Sequence, residues 1–143
     1  METQPQLSPD NRWLAYVSDE SGRNEIYVQP FSLDAKPPAN RWMVSSSGGT
    51  DPRWRRDGKE LFYLAADGKA VMSVPVKSAT GTSFATDPPQ PLFDIPPLLS
   101  RVATGSFRYA VTSDGQRFLV LLGPNEPPQP LTVITNWQAA VKR

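Results

Sequence analysis

Residues 51–64 of the chain read DPRWRRDGKELFYL, and this stretch decides the fold. We interpret it as a strand, a tight turn at Asp57-Gly58 and a second strand that contains residues 61–64. An Asp-Gly pair between two apolar or aromatic runs is the strongest short-range signal for a β-hairpin. The sequence therefore predicts an antiparallel pair of strands in the middle of the chain.

The same order of parts occurs twice more. Residues 7–16 read LSPDNRWLAY and residues 111–120 read VTSDGQRFLV. When Asp10, Asp57 and Asp114 are aligned, successive copies are 47 and 57 residues apart. Repeats of about 40–50 residues that are made of strands are typical of propeller blades, each a four-stranded antiparallel sheet. The spacing therefore predicts three blade-like repeats.

The composition favours an all-β class. Of the 143 residues, 38% are hydrophobic and 20% are charged, so the chain can form a core and is not of the disordered class. Its 16 prolines leave few windows for a helix of ordinary length, because an interior proline costs a helix about 3 kcal/mol. Aromatic and β-branched residues fill the stretches between the prolines, and these residue types favour strands.

We predict one partial propeller domain over residues 1–143, with blades at approximately residues 4–45, 50–95 and 105–137. Eleven strands can be placed, because the third blade lacks one of the four strands that a complete blade contains. Residues 78–87 are polar and rich in glycine and threonine, so we predict a loop there.

The residue types that are missing exclude several kinds of site. Without cysteine the chain has no disulfide, thiolate zinc site or cysteine nucleophile, and without histidine it has no Ser-His-Asp triad. A net charge of +1 gives no overall field to attract nucleic acid or an anionic membrane. No apolar run approaches the roughly 18 residues that cross a membrane. We therefore predict no catalytic residue, no cofactor or metal site, no nucleic-acid partner and no membrane contact in this chain.

The repeated acidic residues Asp10, Asp57 and Asp114 have two interpretations. They are placed equivalently in the repeats, as ligands for a cation on a ring would be. Alternatively, each Asp accepts a hydrogen bond from the backbone two residues further on and so stabilises a turn. Occurrence in every repeat favours the turn role, and no EF-hand-like spacing of carboxylates supports a calcium loop.

Two other sets of side chains are candidates for catalytic groups. Asp19-Glu20 with Asp34, or Asp51 with Asp57, would be the carboxylate pair of a glycoside hydrolase. Their spacing gives no sign of convergence, which favours solvated loop charges. Residues 45–47 with Lys59 would be a Ser-Lys dyad, but no motif accompanies them and loop serines are the ordinary case.

A basic cluster lies beside Trp54. Arginines next to an aromatic ring can bind anions or stack on sugars and bases. Strand alternation places Arg53 and Arg55 on one face and Trp54 on the other, which splits the cluster and favours a solvated edge. The cluster comprises Arg53, Arg55, Arg56 and Lys59. The tryptophans are expected to fill the core between neighbouring sheets. They are Trp13, Trp42, Trp54 and Trp137.

The repeat resembles the TolB-like, WD-type β-propeller repeat, in which Ser-Pro-Asp-Gly precedes an aromatic and apolar strand and an Ile-Tyr strand follows. Residues 8–16 with Glu25-Ile26-Tyr27 match this pattern best, although Asn11 stands where glycine is usual. In the later copies, Arg55-Arg56 and Thr112-Ser113 replace the Ser-Pro pair. The resemblance covers nearly the whole chain and implies a propeller.

Residues 48–58 and 134–137 are also similar to the C-terminal propellers of bacterial serine/threonine protein kinases and related sensors. This resemblance implies a non-catalytic module that binds or senses a protein or a small ligand, outside the cytoplasm in the periplasm or at the cell surface. Two other interpretations stay open. One is the accessory propeller of a prolyl-oligopeptidase-type hydrolase whose catalytic residues lie outside this chain, and the other is a glycan-active propeller that acts through carboxylates.

Three blades in an open row leave an apolar face uncovered at each end. We therefore expect the chain to associate either with the rest of a larger propeller or with a second copy that completes a six-bladed ring. In a two-copy ring, residues 1–7 would supply the strand that the partner's third blade lacks. Residues 1–5 lack the basic and apolar regions of a signal peptide and lead directly into a repeat, so we expect a segment of a longer protein.

Overall fold

The computed structural model describes residues 1–33, 40–81, 83–96 and 107–121, together with the backbone of Val133–Ile134. Within these residues every regular element is a β-strand, and the strands form antiparallel sheets. The predicted all-β class and its blade-like repeats are confirmed. The described residues contain no helix that is long and apolar enough to cross a membrane.

The first sheet is a four-stranded meander in which each strand pairs with the next along the chain. The second and third strands pair in continuous register from Trp13 opposite Pro30 to Ser18 opposite Glu25. The strands are β1 (Glu2–Leu7), β2 (Trp13–Ser18), β3 (Glu25–Pro30) and β4 (Trp42–Met43).

The second sheet contains the same meander with one addition. Its strands are β5 (Gly49–Trp54), β6 (Glu60–Ala65), β7 (Ala70–Thr80), β8 (Ser83–Thr86) and β9 (Gln90–Asp94). The long strand β7 pairs with β9 along its first half and with β8 along its second half. The four-stranded blade is therefore β5-β6-β7-β9, and β8 belongs to a hairpin that extends from it.

Residues 78–87 are predicted to form a loop, but the structure shows that they contain most of this hairpin. The prediction was wrong because it weighed only local polarity, whereas the hairpin is stabilised by a distant contact. Phe84 in β8 is buried, and its ring lies 5.0 Å from that of Trp13 in the first sheet. Burial of this ring anchors the short polar segment against the neighbouring blade.

The third sheet is a meander of three described strands. They are β10 (Tyr109–Val111), β11 (Phe118–Val120) and β12 (Val133–Ile134), in that order. The end of the predicted third blade lies outside the described residues. So do Trp137, which is predicted to fill the core, and Asp34, which belongs to one of the carboxylate pairs.

The core lies between the sheets and not within any one of them. Along β6, Leu61 and Tyr63 pack against the first sheet, and Phe62 and Leu64 pack against the third. All four side chains are buried, which explains why residues 61–64 are apolar without alternation. Sheets stacked face to face in chain order are the arrangement of propeller blades.

The first strands of the three sheets lie side by side, β1 against β5 and β5 against β10. The backbone N–H of Asp51 donates to Oε1 of Gln4 at 2.9 Å, and the backbone N–H of Arg108 donates to Oδ1 of Asp51 at 2.8 Å. These three residues are separated by 47 and 57 residues, as the aligned turns are. One position of the repeat therefore joins each blade to the next.

The two outer faces of the stack carry exposed apolar side chains. On the first sheet, Leu7 is 42% exposed and Met43 is 53% exposed, on the face opposite the second sheet. On the third sheet, Leu119 and Leu121 are exposed on the face opposite Phe118, which is buried against the second sheet. Each end of the row thus presents apolar surface to solvent.

Candidate functional site

Three equivalent turns connect the first and second strands of the sheets. Each is closed by the same backbone bonds, as in Asn11 N–H to Ser8 O at 2.8 Å and Gly58 N–H to Arg55 O at 2.9 Å. Each turn also contains a residue in the left-handed region, where glycine is favoured. The φ angles are 57° at Asn11, 70° at Gly58 and 73° at Gly115. Asparagine tolerates this conformation, which explains its presence where the repeat usually has glycine.

The aspartates of these turns stabilise the backbone. Oδ1 of Asp10 accepts the N–H of Arg12 at 3.2 Å, two residues further on. Asp57 and Asp114 accept the equivalent N–H groups at 3.0 Å. The turn role predicted for the three aspartates is confirmed. Within the described residues, no three His, Cys, Asp or Glu side chains are close enough together to hold a metal ion.

A cleft of about 370 Å³ lies between the first two turns. Ser8, Pro9 and Asp10 from the first blade line one side, and Arg56, Asp57 and Gly58 from the second blade line the other. Trp13, Trp54 and Ala79 complete the lining. Because Ala79 belongs to the hairpin of β7 and β8, three separate segments of the fold meet at this cleft.

The aromatic side of the cleft is held in place by a cluster of rings. Phe84 packs against Trp13 at 5.0 Å and against Trp54 at 6.2 Å between ring centroids, and Trp42 packs against Trp13 at 5.8 Å. The core role predicted for Trp13 is confirmed, since it is 2% exposed. Trp54 is only partly buried and lines the cleft as well.

The two indole N–H groups differ in their partners. Nε1 of Trp54 donates to the backbone oxygen of Gln6 at 3.2 Å, so this ring presents only carbon surface elsewhere. Nε1 of Trp13 is buried and has no hydrogen-bond partner within the described structure. An unpaired buried donor of this kind costs about 1–3 kcal/mol.

Two carboxylates stand at the rim. The hydroxyl of Ser8 donates to Asp10 at 2.5 Å, and this bond lowers the pKa of Asp10 below its ordinary value. The guanidinium of Arg55 donates twice to Asp57, at 2.8 and 2.9 Å, and lowers the pKa of that carboxyl. Both groups are therefore ionised at neutral pH.

The predicted basic cluster is divided among three places. Arg53 donates to Oε1 of Gln6 at 2.9 Å, and its guanidinium lies 3.5 Å from the centre of the Phe107 ring, between the inner strands. Arg55 binds Asp57 and also Glu60, at 2.5 Å. Arg56 is exposed and lines the cleft with Trp54. The predicted separation of Arg53 and Arg55 from Trp54 is confirmed, and the sequence did not reveal that Arg56 joins Trp54.

The carboxylate pairs considered for glycoside hydrolysis have separate partners. Asp51 is fully buried and pairs with Arg108 at 2.7 Å, whereas Asp57 binds Arg55 on the surface. Asp19 contacts the terminal ammonium of Met1. Glu20 pairs with Arg41 at 2.8 Å.

No sequence motif indicated the role of the buried glutamate Glu25. Glu25 is 1% exposed and accepts from Arg23 at 2.6 Å, from the backbone N–H of Gly48 at 2.9 Å, and from the hydroxyl of Ser45. Ser45, considered above with Lys59, thus bonds to Glu25. Burial and then the charge of Glu25 raise the pKa of Tyr63 to about 12. Ser45 and Gly48 lie 20 and 23 positions from Glu25, just before β5, so the glutamate stabilises the junction of the first two blades.

Comparison with known proteins gives two similarities. No protein-family model matches the chain. Over 85 residues it is 31% identical to dipeptidyl aminopeptidase BI of Pseudoxanthomonas mexicana, a match that takes in 57% of this chain and 11% of the peptidase. Among solved structures it is similar to TolB from Acinetobacter baumannii, with 17% identity and a TM-score of 0.41 over 94% of this chain and 41% of the TolB chain. The chain spans less than half the length of either protein.

Proposed function

We propose that this chain is a non-catalytic binding or sensing segment of a larger propeller protein that acts outside the cytoplasm. The observation that carries the proposal is the cleft between the turns of residues 8–12 and 55–59. A cavity of this size, with an apolar floor and a few charged groups at its rim, has the composition of a site for a small ligand or one side chain of a partner. Loops on a rigid frame are where such sites usually lie.

The contacts around the cleft support binding in preference to catalysis. Asp57 is held by Arg55, Asp10 is held by Ser8, and each also stabilises its own turn. A general acid or base needs a proton that it can exchange near neutral pH, and the lowered pKa values of both carboxyls oppose this. These groups fit the recognition of a ligand and not the transfer of a proton.

The match to dipeptidyl aminopeptidase BI favours a second candidate, the accessory propeller of a prolyl-oligopeptidase-type hydrolase. In that case the nucleophile and its histidine would belong to residues outside this chain, because it contains no histidine. The same cleft would then contact a peptide on its way to a catalytic domain. The two candidates agree on a binding role for this segment and differ in the protein to which it belongs.

The partner in either case would cover the apolar ends of the row. Met43 and Leu7 at one end, and Leu119 and Leu121 at the other, are side chains that a neighbouring blade would bury. The rest of a larger propeller or a second copy of this chain would supply that blade. Closure by a second copy would give a ring of six blades.

Ligand mapping by nuclear magnetic resonance tests the proposal. The full chain, labelled with ¹⁵N, would be titrated with mixtures of short peptides, saccharides and small organic anions. Binding at the cleft is expected to shift the amide signals of residues 8, 10–12 and 55–59 and to spare the equivalent turn at residues 112–116. If no mixture shifts the cleft signals preferentially, the proposal is wrong. Parallel assays with aminoacyl and dipeptidyl chromogenic substrates are expected to show no hydrolysis by this chain.

A further inference from the structure

The charges that surround the cleft nearly balance. Asp10 and Asp57 are ionised carboxylates, Arg55 is bound to Asp57, and Arg56 is exposed beside them. In addition, Nε of Arg12 lies 4.0 Å from Oδ2 of Asp10. A balanced rim does not select a ligand by net charge, so a strongly anionic or cationic ligand gains little here. The arrangement favours an uncharged ligand that both donates and accepts hydrogen bonds.

The floor of the cleft requires a flat apolar surface on that ligand. Trp54 presents carbon surface, because its only polar atom is bound to Gln6, and Ala79 and Pro9 add further apolar surface. The volume of about 370 Å³ is near the lower end of the range for ligand pockets, so the occupant is small and compact. An extended peptide of several residues would exceed it.

From these features we propose that the cleft binds a saccharide ring. This inference rests on the proposed binding function and gives its ligand class. The apolar C–H face of the ring would pack on Trp54, while ring hydroxyls would donate to Asp10 and Asp57 and accept from Arg56. Indole surface with carboxylate and guanidinium groups matches the mixed apolar and polar surface of a sugar.

Tryptophan fluorescence of the full chain provides the test, with glucose, galactose, N-acetylglucosamine, maltose and cellobiose as probes. At least one of these sugars is expected to change the emission in a saturable way. Arg56→Gln is expected to weaken that binding about tenfold or more, since it removes one of a small number of contacts. Trp54→Leu is expected to weaken it by a similar factor, and its binding is followed by the amide signals of the cleft because the variant removes the fluorescent ring at the site.

A matched pair of variants separates loss of contact from loss of the turn. Asp10→Asn and Asp114→Asn alter the same position of two equivalent turns, but only Asp10 lines the cleft. The proposal requires weaker sugar binding in Asp10→Asn and unchanged binding in Asp114→Asn, with both variants checked for the native circular dichroism spectrum. Equal effects of the two variants would overturn it.

A second set of probes distinguishes this proposal from the more general one. Gly-Pro and Ala-Pro dipeptide amides would be tested under the same conditions. Cleft signals that respond to the peptides and to none of the sugars would overturn the saccharide proposal and leave the binding function intact. If neither set binds at the cleft in fluorescence or in the amide spectra, the saccharide proposal is wrong, and the small organic anions of the titration above decide the more general one.

Discussion

The backbone N–H of Arg108 donates a 2.8 Å hydrogen bond to the carboxylate of Asp51, the residue at the same position one repeat earlier. The Arg108 guanidinium donates two further hydrogen bonds to the same carboxylate, at 2.7 and 3.1 Å, and one to Thr50 at 2.5 Å. Asp51 is fully buried, so its charge depends on these donors for stabilisation. This side chain thus joins the third blade to the second, in addition to the apolar core between them.

Replacement of Asp51 should therefore destabilise the chain strongly. Asp51→Ala removes the charged partner of Arg108 and places alanine at a φ of 57°, so we expect a loss of about 3 kcal/mol in the free energy of unfolding. Asp51→Asn keeps an acceptor for the Arg108 N–H and tolerates the left-handed backbone, so its loss should be smaller. Urea denaturation measures both. Asp87→Ala, which removes the surface ion pair with Lys77, is the control and should cost less than about 1 kcal/mol. Equal losses in Asp51→Ala and Asp87→Ala would contradict the interpretation.

Replacement of Phe84 is a second way to test how the blades are joined. Phe84→Ala removes a buried ring that touches three tryptophans, and a buried phenylalanine replaced by alanine typically costs about 3–5 kcal/mol. The hairpin of β7 and β8 should lose its protection from hydrogen exchange before the rest of the second sheet does. Leu33→Ala, at a side chain that is 89% exposed, should change stability by less than about 0.5 kcal/mol. A hairpin that stays protected in Phe84→Ala would show that β8 does not depend on this ring.

Strand β6 could be predicted from the sequence alone, whereas strand β8 could not. The apolar run at residues 61–64 predicted a strand, and the structure buries both of its faces, which leaves such an unbroken apolar run as a local signature. Residues 83–86 carry no such signature, since a single phenylalanine among polar neighbours gives no period. Its partners Trp13 and Trp42 are more than 40 residues away, and only the fold brings them together.

The candidate site could also be predicted only in part from the sequence. The aligned aspartates predicted the turns, and the turns form the two sides of the cleft. The alignment also placed Gln4, Asp51 and Arg108 at one position, but their different side chains hid the hydrogen bonds that they share. Strand alternation correctly placed Trp54 and Arg55 on opposite faces. It could not place Arg56, because the strand β5 ends at Trp54 and the turn sets the direction of the residues that follow.

Gly58 and Gly115 offer a matched comparison at one position of the repeat. Both have a positive φ, so alanine at either site should cost about 1 kcal/mol for the left-handed backbone alone. At Gly58 an added methyl group would meet nothing closer than Pro9 at 4.0 Å, whereas at Gly115 it would lie 2.7 Å from Cδ of Arg55. Gly115→Ala should therefore cost more than Gly58→Ala, because Arg55 must move and weaken its bonds to Asp57 and Glu60. Thermal denaturation of the two variants measures the difference. A smaller loss for Gly115→Ala would mean that this contact does not constrain the turn.

Tyr63 should give the chain an alkaline limit of stability. Its pKa is raised from the ordinary value of 10.0 to about 12, first by burial and then by Glu25. Between these values the unfolded chain releases the phenolic proton and the folded chain keeps it, so the stabilisation is complete below pH 10 and is lost as the pH rises through about 12. Urea denaturation at increasing alkaline pH should show this decline, and Tyr63→Phe should make it shallower. A residual slope is expected from Tyr109, whose pKa burial also raises. An unchanged slope in Tyr63→Phe would contradict the assignment.

The exposed ends of the row lead to a prediction about association. Met43 is 53% exposed and Leu119 is 39% exposed, on opposite outer faces of the stack, and apolar surface at both ends favours contact with another blade. We expect light scattering after size-exclusion chromatography to give a mass above the 15.8 kDa of one chain, with about twice that value if two copies close one ring. Met43→Glu and Leu119→Glu should each lower the mass, because a charge at such a contact would be desolvated without a partner. Leu33→Glu, in the segment that follows β3, is the matched control and should leave the mass unchanged. A folded monomer that neither variant alters would mean that these faces are stable in water, and the proposal that another blade covers them would then be wrong.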